Sequence, residues 1–374
     1  MNIAIDARPL LERRGTGVYE YTRHLLDALF RISNDDFTLF SNSYQYSPRL
    51  PEDWREMKNI KVFETKKPNK IFNLKQRFLQ KPKFNAMARG ADLFYLPNLN
   101  FCSFDAGFPH IATVHDLSFE VNPQFFSPKQ LAWHRLINIP RLLRGATKIA
   151  AVSRHTKDDI VKLFGISPDK IEVVYPGLNM LKDGLPAAEM RLRHFLPENF
   201  ILYLGTVERR KNISGLIQAF RMIAQKIPDY FLTLAGSPGP GFREIYELAR
   251  SGAASERILF LDYIPEAERK ALYSLAKVFV YPSFYEGFGM PPLEAMSCGI
   301  PVVASAASSI PEVAGGAAML VNPYNVSELA EAMLEGITNE RLRKSLISRG
   351  YEHIKKFSWE KAATELNDIF QKII

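Results

Sequence analysis

Apolar residues along this chain fall in short dense runs, separated by longer stretches in which they recur every three or four positions. A short run bounded by turn residues suits a buried strand, and recurrence at three to four suits one face of a helix. The first cycle opens the chain. Asn2-Ile3-Ala4-Ile5-Asp6 predicts a strand, Gly15-Thr16-Gly17 a loop, and Val18, Tyr21, Leu25 and Leu29 the apolar stripe of a helix over 18–30. Further strands are predicted at 38–41, 93–96, 111–114 and 148–152, with helix-like stretches between them. Strand alternating with helix implies an α/β fold with a mostly parallel sheet.

The pattern ends in a turn at Pro176-Gly177, loosens until about residue 199, and then restarts. Strands are predicted at 201–205, 232–235, 258–260, 278–281, 301–304 and 318–321, with a helix over 212–226. At 374 residues the chain exceeds what one core commonly supports. Two doubly wound, Rossmann-like domains are therefore expected, at 1–178 and 179–357. Residues 358–374 read as an amphipathic helix with Ser358 as N-cap, crossing back to the first domain.

Composition narrows the class. Hydrophobic residues at 47% and charged residues at 24% describe an ordinary folded protein. Asp6 sits where a signal peptide would continue its apolar core, and no apolar run reaches about 18 residues, so a cytoplasmic chain is expected. Cys102 and Cys298 are distant from each other and read as free thiols. Neither they nor the seven histidines show a metal-ligand spacing, so no metal site is predicted. The net charge of +8 favours anionic partners. No zinc-finger, RNP or helix-turn-helix signature is present, which argues against nucleic acid.

The strongest chemical signal is Tyr281-Pro282-Ser283-Phe284-Tyr285-Glu286-Gly287-Phe288-Gly289-Met290-Pro291-Pro292-Leu293-Glu294. A glycine-containing loop leaves the carboxyl end of a strand, where open α/β sheets hold ligands. Gly287 and Gly289 let backbone approach a ligand closely, and prolines suit the first turn of the next helix. The N–H groups around Phe288, Gly289 and Met290 can bind phosphate or sugar oxygens, and Glu286 and Glu294 add acceptors for hydroxyls. Earlier, Gly205-Thr206-Val207-Glu208-Arg209-Arg210-Lys211-Asn212 places cations near a helix start, which is unfavourable unless an anion joins them.

The 281–296 segment closely resembles the Glu-x7-Glu motif of glycosyltransferase family four, retaining enzymes of the GT-B fold. The resemblance extends over nearly the whole chain. It implies two Rossmann-like domains facing across a cleft, with the donor in the second domain. Arg210 and Lys211 match the basic pair that neutralises the donor pyrophosphate; Thr206 stands where many relatives carry arginine. By the same resemblance Glu286 holds the donor sugar and Glu294 the ribose. Tyr263 and Ile264 lie where relatives hold the nucleobase, partly through backbone groups. In the first half, Gly15 and Gly17 match a glycine loop facing the donor phosphates; Glu20 occupies the place of a third glycine, which disfavours NAD. His115, in Thr113-Val114-His115-Asp116, matches a residue beside the donor sugar.

The activity this resemblance implies is transfer of a hexose from a nucleotide diphosphate sugar, without metal or further cofactor. Mannose from GDP-mannose is favoured, with a glycan or lipid-linked acceptor in surface polysaccharide synthesis. Two other readings stay open: a GT-B nucleotide-sugar epimerase, and a non-catalytic nucleotide-sugar-binding protein. One segment falls outside this scheme. Lys66, Lys67, Lys70, Lys75, Arg77, Lys81, Lys83 and Arg89 occur with no acid over 65–91, interleaved with Phe72, Leu74, Phe78, Leu79 and Phe84. It reads either as a basic helix on an anionic membrane face or as a solvated helix with its phenylalanines in the core.

Overall fold

The computed structural model describes residues 1–11, 16–44, 48, 50–88 and 90–373. The chain divides into two compact units. Unit 1 comprises Met1–Val121, Pro128–Gly177 and Phe357–Ile374; unit 2 comprises Asn122–Ser127 and Leu178–Lys356. The segment Asn122–Ser127 groups with unit 2, although the sequence pattern assigns it to the first domain.

Unit 1 is built on seven strands: β1 (Asn2–Asp6), β2 (Asp36–Asn42), β3 (Ile60–Thr65), β4 (Leu93–Leu96), β5 (His110–Val114), β6 (Lys148–Ala151) and β7 (Ile171–Val173). Their order is β3-β2-β1-β4-β5-β6-β7, and every pair is parallel. The central strands are buried on both faces, which is why they read as unbroken apolar runs. Edge strand β3 is mostly exposed and carries Lys61 and Glu64, so its apolar signal is too weak for the sequence pattern to predict it. The helix after β1 spans Gly17–Ile32 and is capped by Thr16, whose hydroxyl accepts from the Tyr19 N–H. Its buried Tyr21, Leu25 and Leu29 are those predicted by spacing. The last helix, Trp359–Gln371, belongs to this unit and starts at Ser358, whose side chain accepts from the Lys361 N–H. Its Trp359 ring stacks on His24, and Phe370 packs edge-on against Tyr95. Gly177 lies so close that a Cβ there would fall 2.3 Å from the Trp359 nitrogen.

The basic 66–89 segment is not one helix. A helix over Asn69–Leu74 runs into a wide turn over Lys75–Leu79 and stops at Gln80, whose backbone is left-handed; a separate short helix comes next at Phe84–Met87. Pro82 lacks the N–H that continuation would need. The aromatics divide. Phe72 and Phe84 join a buried cluster with Phe40 and Phe94, each burial stabilising by about 2 kcal/mol. Phe78 stays 65% exposed. Arg89 lies outside the described residues.

Unit 2 has six parallel strands: β8 (Asn199–Leu204), β9 (Tyr230–Ala235), β10 (Ile258–Leu261), β11 (Val278–Tyr281), β12 (Val302–Ser305) and β13 (Met319–Val321). They are ordered β10-β9-β8-β11-β12-β13. The chain thus winds outward one way from β8 and the other way from β11. Connections onward from these two neighbouring strands run in opposite directions, and the carboxyl end between them is where such sheets place a ligand. The loops after β8 and β9 run together, with Val207 N–H donating to the Ser237 carbonyl and Gly239 N–H to that of Val207. Gly236 permits this approach: a Cβ there would lie 2.0 Å from the Gly205 oxygen.

Candidate active site

The strand order brings two distant stretches of sequence to the same edge of unit 2. Residues 205–212 leave β8, and residues 282–289 leave its neighbour β11. Arg210 and Lys211 fall in a short 3-10 turn at Arg209–Lys211, ended by Asn212 in a left-handed conformation. The turn is fastened to the second loop by the Phe284 N–H, which donates to the Arg210 carbonyl. Both cations therefore face Glu286. Lys211 Nζ lies 2.5 Å from Glu286 Oε1, and Arg210 Nη1 lies 3.1 Å from Oε2. Arg210 Nη1 also donates to the Tyr285 carbonyl, and its Nη2 pairs with Glu208 at 2.9 Å.

Lys211 is 8% exposed and Glu286 7%. Lys211 is thus buried and Arg210 half-buried, and the anion that joins them in the free protein is the Glu286 carboxylate. Burial alone would raise the Glu286 pKa, but the charges of Lys211 and Arg210 outweigh it and hold the carboxyl at about 2. The Tyr281 hydroxyl completes the group, accepting from Lys211 Nζ at 2.9 Å and donating to Glu286 Oε1 at 3.0 Å. Sequence reasoning does not single out Tyr281. Its signal is the last position of β11, on the same face as Phe279.

The loop beyond Glu286 is held from below. Glu286 N–H donates to Ser308 Oγ, and Ser309 Oγ donates to the Glu286 and Phe288 carbonyls. Gly287 and Phe288 are buried, and Gly289, at φ +96°, caps the helix Met290–Ser297. A Cβ on Gly289 would meet Ile310 Cδ1 at 2.3 Å, a side-chain end that could shift, whereas the left-handed backbone itself favours glycine. Met290 opens the helix, with Pro291 and Pro292 in its first turn.

Glu294 stands on that helix and is held by other groups. The Tyr273 hydroxyl donates to its Oε2 at 2.9 Å, and Arg269 lies 3.7 Å from Oε1. Arg269 and Tyr273 are four apart on the helix Glu266–Leu275, a spacing that puts them on one face. On the loop after β10, Tyr263 is half exposed and Ile264 is buried. Of the predicted residues, Arg210, Lys211 and Glu286 form one cluster; Gly287, Phe288, Gly289 and Met290 continue it along the chain.

In unit 1, Gly17 begins its helix with open space where a Cβ would stand. Gly15 lies outside the described residues. His115 leaves the end of β5 and contacts the Pro97 carbonyl through Nε2 at 2.8 Å. A carbonyl only accepts, so Nε2 carries the proton and Nδ1 is left as an acceptor. Burial lowers the imidazole pKa, which keeps the ring neutral. The ring of Tyr21 meets it edge-on at 4.6 Å. Asp116 bonds the Ser118 N–H and hydroxyl, and so shapes the turn after β5.

Among the described residues no group of three His, Cys, Asp or Glu side chains is placed to hold a metal, and Cys102 and Cys298 are unpaired. No helix among them is long and apolar enough to cross a membrane.

The model of the family "Glycosyltransferase Family 4" matches residues 15–180, and that of "Glycosyl transferases group 1" matches residues 188–353. The chain is 34% identical over 262 residues to O-antigen chain mannosyltransferase B of Escherichia coli, covering 68% of each protein. It is 30% identical over 239 residues to the serotype-specific mannosyltransferase WbdA of Escherichia coli, where the match covers 61% of this chain but 29% of that larger protein. Among solved structures, sucrose-phosphate synthase from Thermosynechococcus elongatus superimposes with a TM-score of 0.76 at 22% identity, over 100% of this chain and 98% of that one. Together with the two parallel sheets, these matches place the chain in glycosyltransferase family 4, as a glycosyltransferase of the GT-B fold.

Proposed function

We propose that this enzyme transfers mannose from GDP-mannose, with retention at the anomeric carbon and without a metal ion, to a glycan or lipid-linked acceptor in surface polysaccharide synthesis. The observation that carries this is the Lys211–Glu286–Arg210 cluster at the β8/β11 edge. Two cations sit there already fixed by tertiary bonds, one of them almost fully buried, where charge stabilisation is strong and needs little rearrangement. Mannose is favoured by the two relatives that are mannosyltransferases.

In this reading the donor diphosphate takes up Arg210 and Lys211, and the N–H groups of Gly287, Phe288, Gly289 and Met290 bind its oxygens and those of the sugar. Released from part of its ion pairing, Glu286 accepts a donor-sugar hydroxyl. Glu294 accepts from the ribose, and the stretch at Tyr263 and Ile264 receives the base. His115 accepts a sugar hydroxyl through Nδ1. The acceptor oxygen attacks the anomeric carbon on the face from which the diphosphate departs. The bond from that carbon to the phosphate oxygen breaks, the new glycosidic bond forms, and the acceptor proton passes to the departing diphosphate. Arg210 and Lys211 stabilise the charge that gathers on it.

The acid-free 65–91 surface supports a further part of the reading, action at an anionic membrane face. Lys66, Lys67, Lys70 and Lys75 are exposed there together with Ile71, Leu74, Phe78 and Leu79.

The test offers GDP-mannose, UDP-glucose, UDP-galactose and UDP-N-acetylglucosamine with mannose-terminated oligosaccharides in EDTA, and tracks product by NMR. Faster turnover of GDP-mannose, with an α-linked product from the α-linked donor, is expected. Preference for a UDP sugar refutes the donor assignment. A β-linked product refutes retention, and turnover only after magnesium is restored refutes the metal-free step.

A further inference from the structure

Unit 1 contains a cavity of about 240 Å³ that none of the residues discussed for the donor lines. The 101–107 stretch borders it. Arg77 and Gln80 of the basic segment line it, as do Asn138 and Arg141. The Nε of Arg77 is buried with no hydrogen-bond partner. No carboxylate pairs with Arg77 or Arg141 among the described residues. Asp105 also lines the cavity, but its carboxylate accepts from Asn85 Nδ2 at 2.9 Å. Two guanidinium groups without anionic partners, opening on one space, have the geometry and charge to take a phosphate.

The surroundings say what carries that phosphate. Next to Arg77 in the chain, Phe78 and Leu79 are 65% and 64% exposed. Trp133 is 46% exposed, its ring edge-on at 4.9 Å to Phe101, which lines the cavity. Trp133 belongs to the helix Pro128–Ile137, which buries none of its residues. The sequence around both sides is acid-free. Besides 65–91, no Asp or Glu occurs over 121–157, which carries Lys129, Arg135, Arg141, Arg144, Lys148, Arg154 and Lys157. Exposed aromatic and aliphatic side chains beside two unpaired arginines, on a surface where Asp105 is the one acid lining the cavity among the described residues, match an anionic bilayer in both polarity and charge.

We infer that this cavity is a binding site for the phosphate-bearing headgroup of an anionic lipid, with Phe78, Leu79 and Trp133 seated in the bilayer beside it. The inference rests on the membrane reading above and sharpens it. Diffuse attraction to lysines needs no pocket, whereas this site assigns two particular arginines and a ligand.

The experiment uses the full chain and vesicles of phosphatidylcholine, with and without phosphatidylglycerol, in a flotation assay. Wild type is expected to float with the phosphatidylglycerol vesicles only. R77Q/R141Q should lose at least fivefold more binding than K66Q/K67Q, which removes the same charge from outside the cavity, while both keep the wild-type Tm. F78S/L79S should also release the protein. Titration with glycerol 3-phosphate and with inorganic phosphate, read by calorimetry, separates the sources. Weak competition by either supports a lipid site, whereas saturation as tight as lipid, without flotation, makes it a free-phosphate site and overturns the inference. If wild type fails to float at all, the membrane reading itself fails. If wild type floats and R77Q/R141Q and K66Q/K67Q weaken it equally, only the pocket is refuted.

Discussion

The carboxyl edges of the two sheets use similar topology for different physics. In unit 2, the loops after β8 and β11 bring Arg210, Lys211, Glu208 and Glu286 into one partly buried ion network. In unit 1, the corresponding edge presents His115, neutral and tied to the Pro97 carbonyl, against the ring of Tyr21. The first arrangement stores charge already oriented in a weakly polar setting. The second fixes the direction of a single hydrogen-bond acceptor. Charge development on a leaving diphosphate should therefore depend heavily on unit 2, while unit 1 tunes position.

Breaking the contrast at its strongest point should have the largest effect. Lys211→Ala is expected to lower kcat/KM about 1,000-fold, the scale of removing a preorganised group that stabilises transition-state charge. Steady-state rates of donor consumption measure it, and a loss below tenfold would remove Lys211 from the site. His115→Ala should cost about 30-fold, the worth of one hydrogen bond to a strongly polar ligand group. If its loss equalled that of Lys211→Ala, the division of labour between the two edges would be wrong. Glu294→Ala sharpens the picture within unit 2. It should raise the donor KM about tenfold and leave kcat within about twofold, because a ribose contact is made equally in the ground and transition states.

The smallest effect concerns stability. Glu286 is held at about 2 in the fold, against about 4.3 for an unfolded glutamate. Its ion pairing therefore stabilises the protein fully above pH about 5, and that contribution is lost as pH falls toward 2. The total is at most about 3 kcal/mol. Thermal melts across this window should show wild type falling toward Glu286→Gln, with the difference between the two proteins disappearing near pH 2. A constant difference across the window would show that Glu286 is not the group being titrated.

Much of this is legible from pattern. The buried parallel strands betray themselves as apolar runs because both faces are covered, and the helix over Gly17–Ile32 shows through the spacing of Tyr21, Leu25 and Leu29. The motif from Glu286 to Glu294 announces a ligand loop through its glycines and prolines. Other features depend on tertiary contact and leave no such trace. Nothing near Arg210 and Lys211 in sequence says that the free protein neutralises them with Glu286, 75 residues from Lys211. Tyr281 reads as one more apolar strand residue until its hydroxyl is found between Lys211 and Glu286. Strand β3 hides because an exposed edge strand tolerates charge, and the 66–89 segment passes for one helix because charge counting does not register the left-handed turn at Gln80. The second acid-free stretch, over 121–157, gains meaning only when the fold sets Arg141 beside the same cavity as Arg77.

In the proposed mechanism Arg210 and Lys211 bind the donor diphosphate without a metal. Calorimetric titration of GDP into the enzyme in EDTA, repeated with Lys211→Ala, tests it most directly. Binding in EDTA that weakens as salt is raised is expected, with a loss of more than tenfold in the variant. Binding that appears only when magnesium is restored, or that Lys211→Ala leaves unchanged, would contradict it.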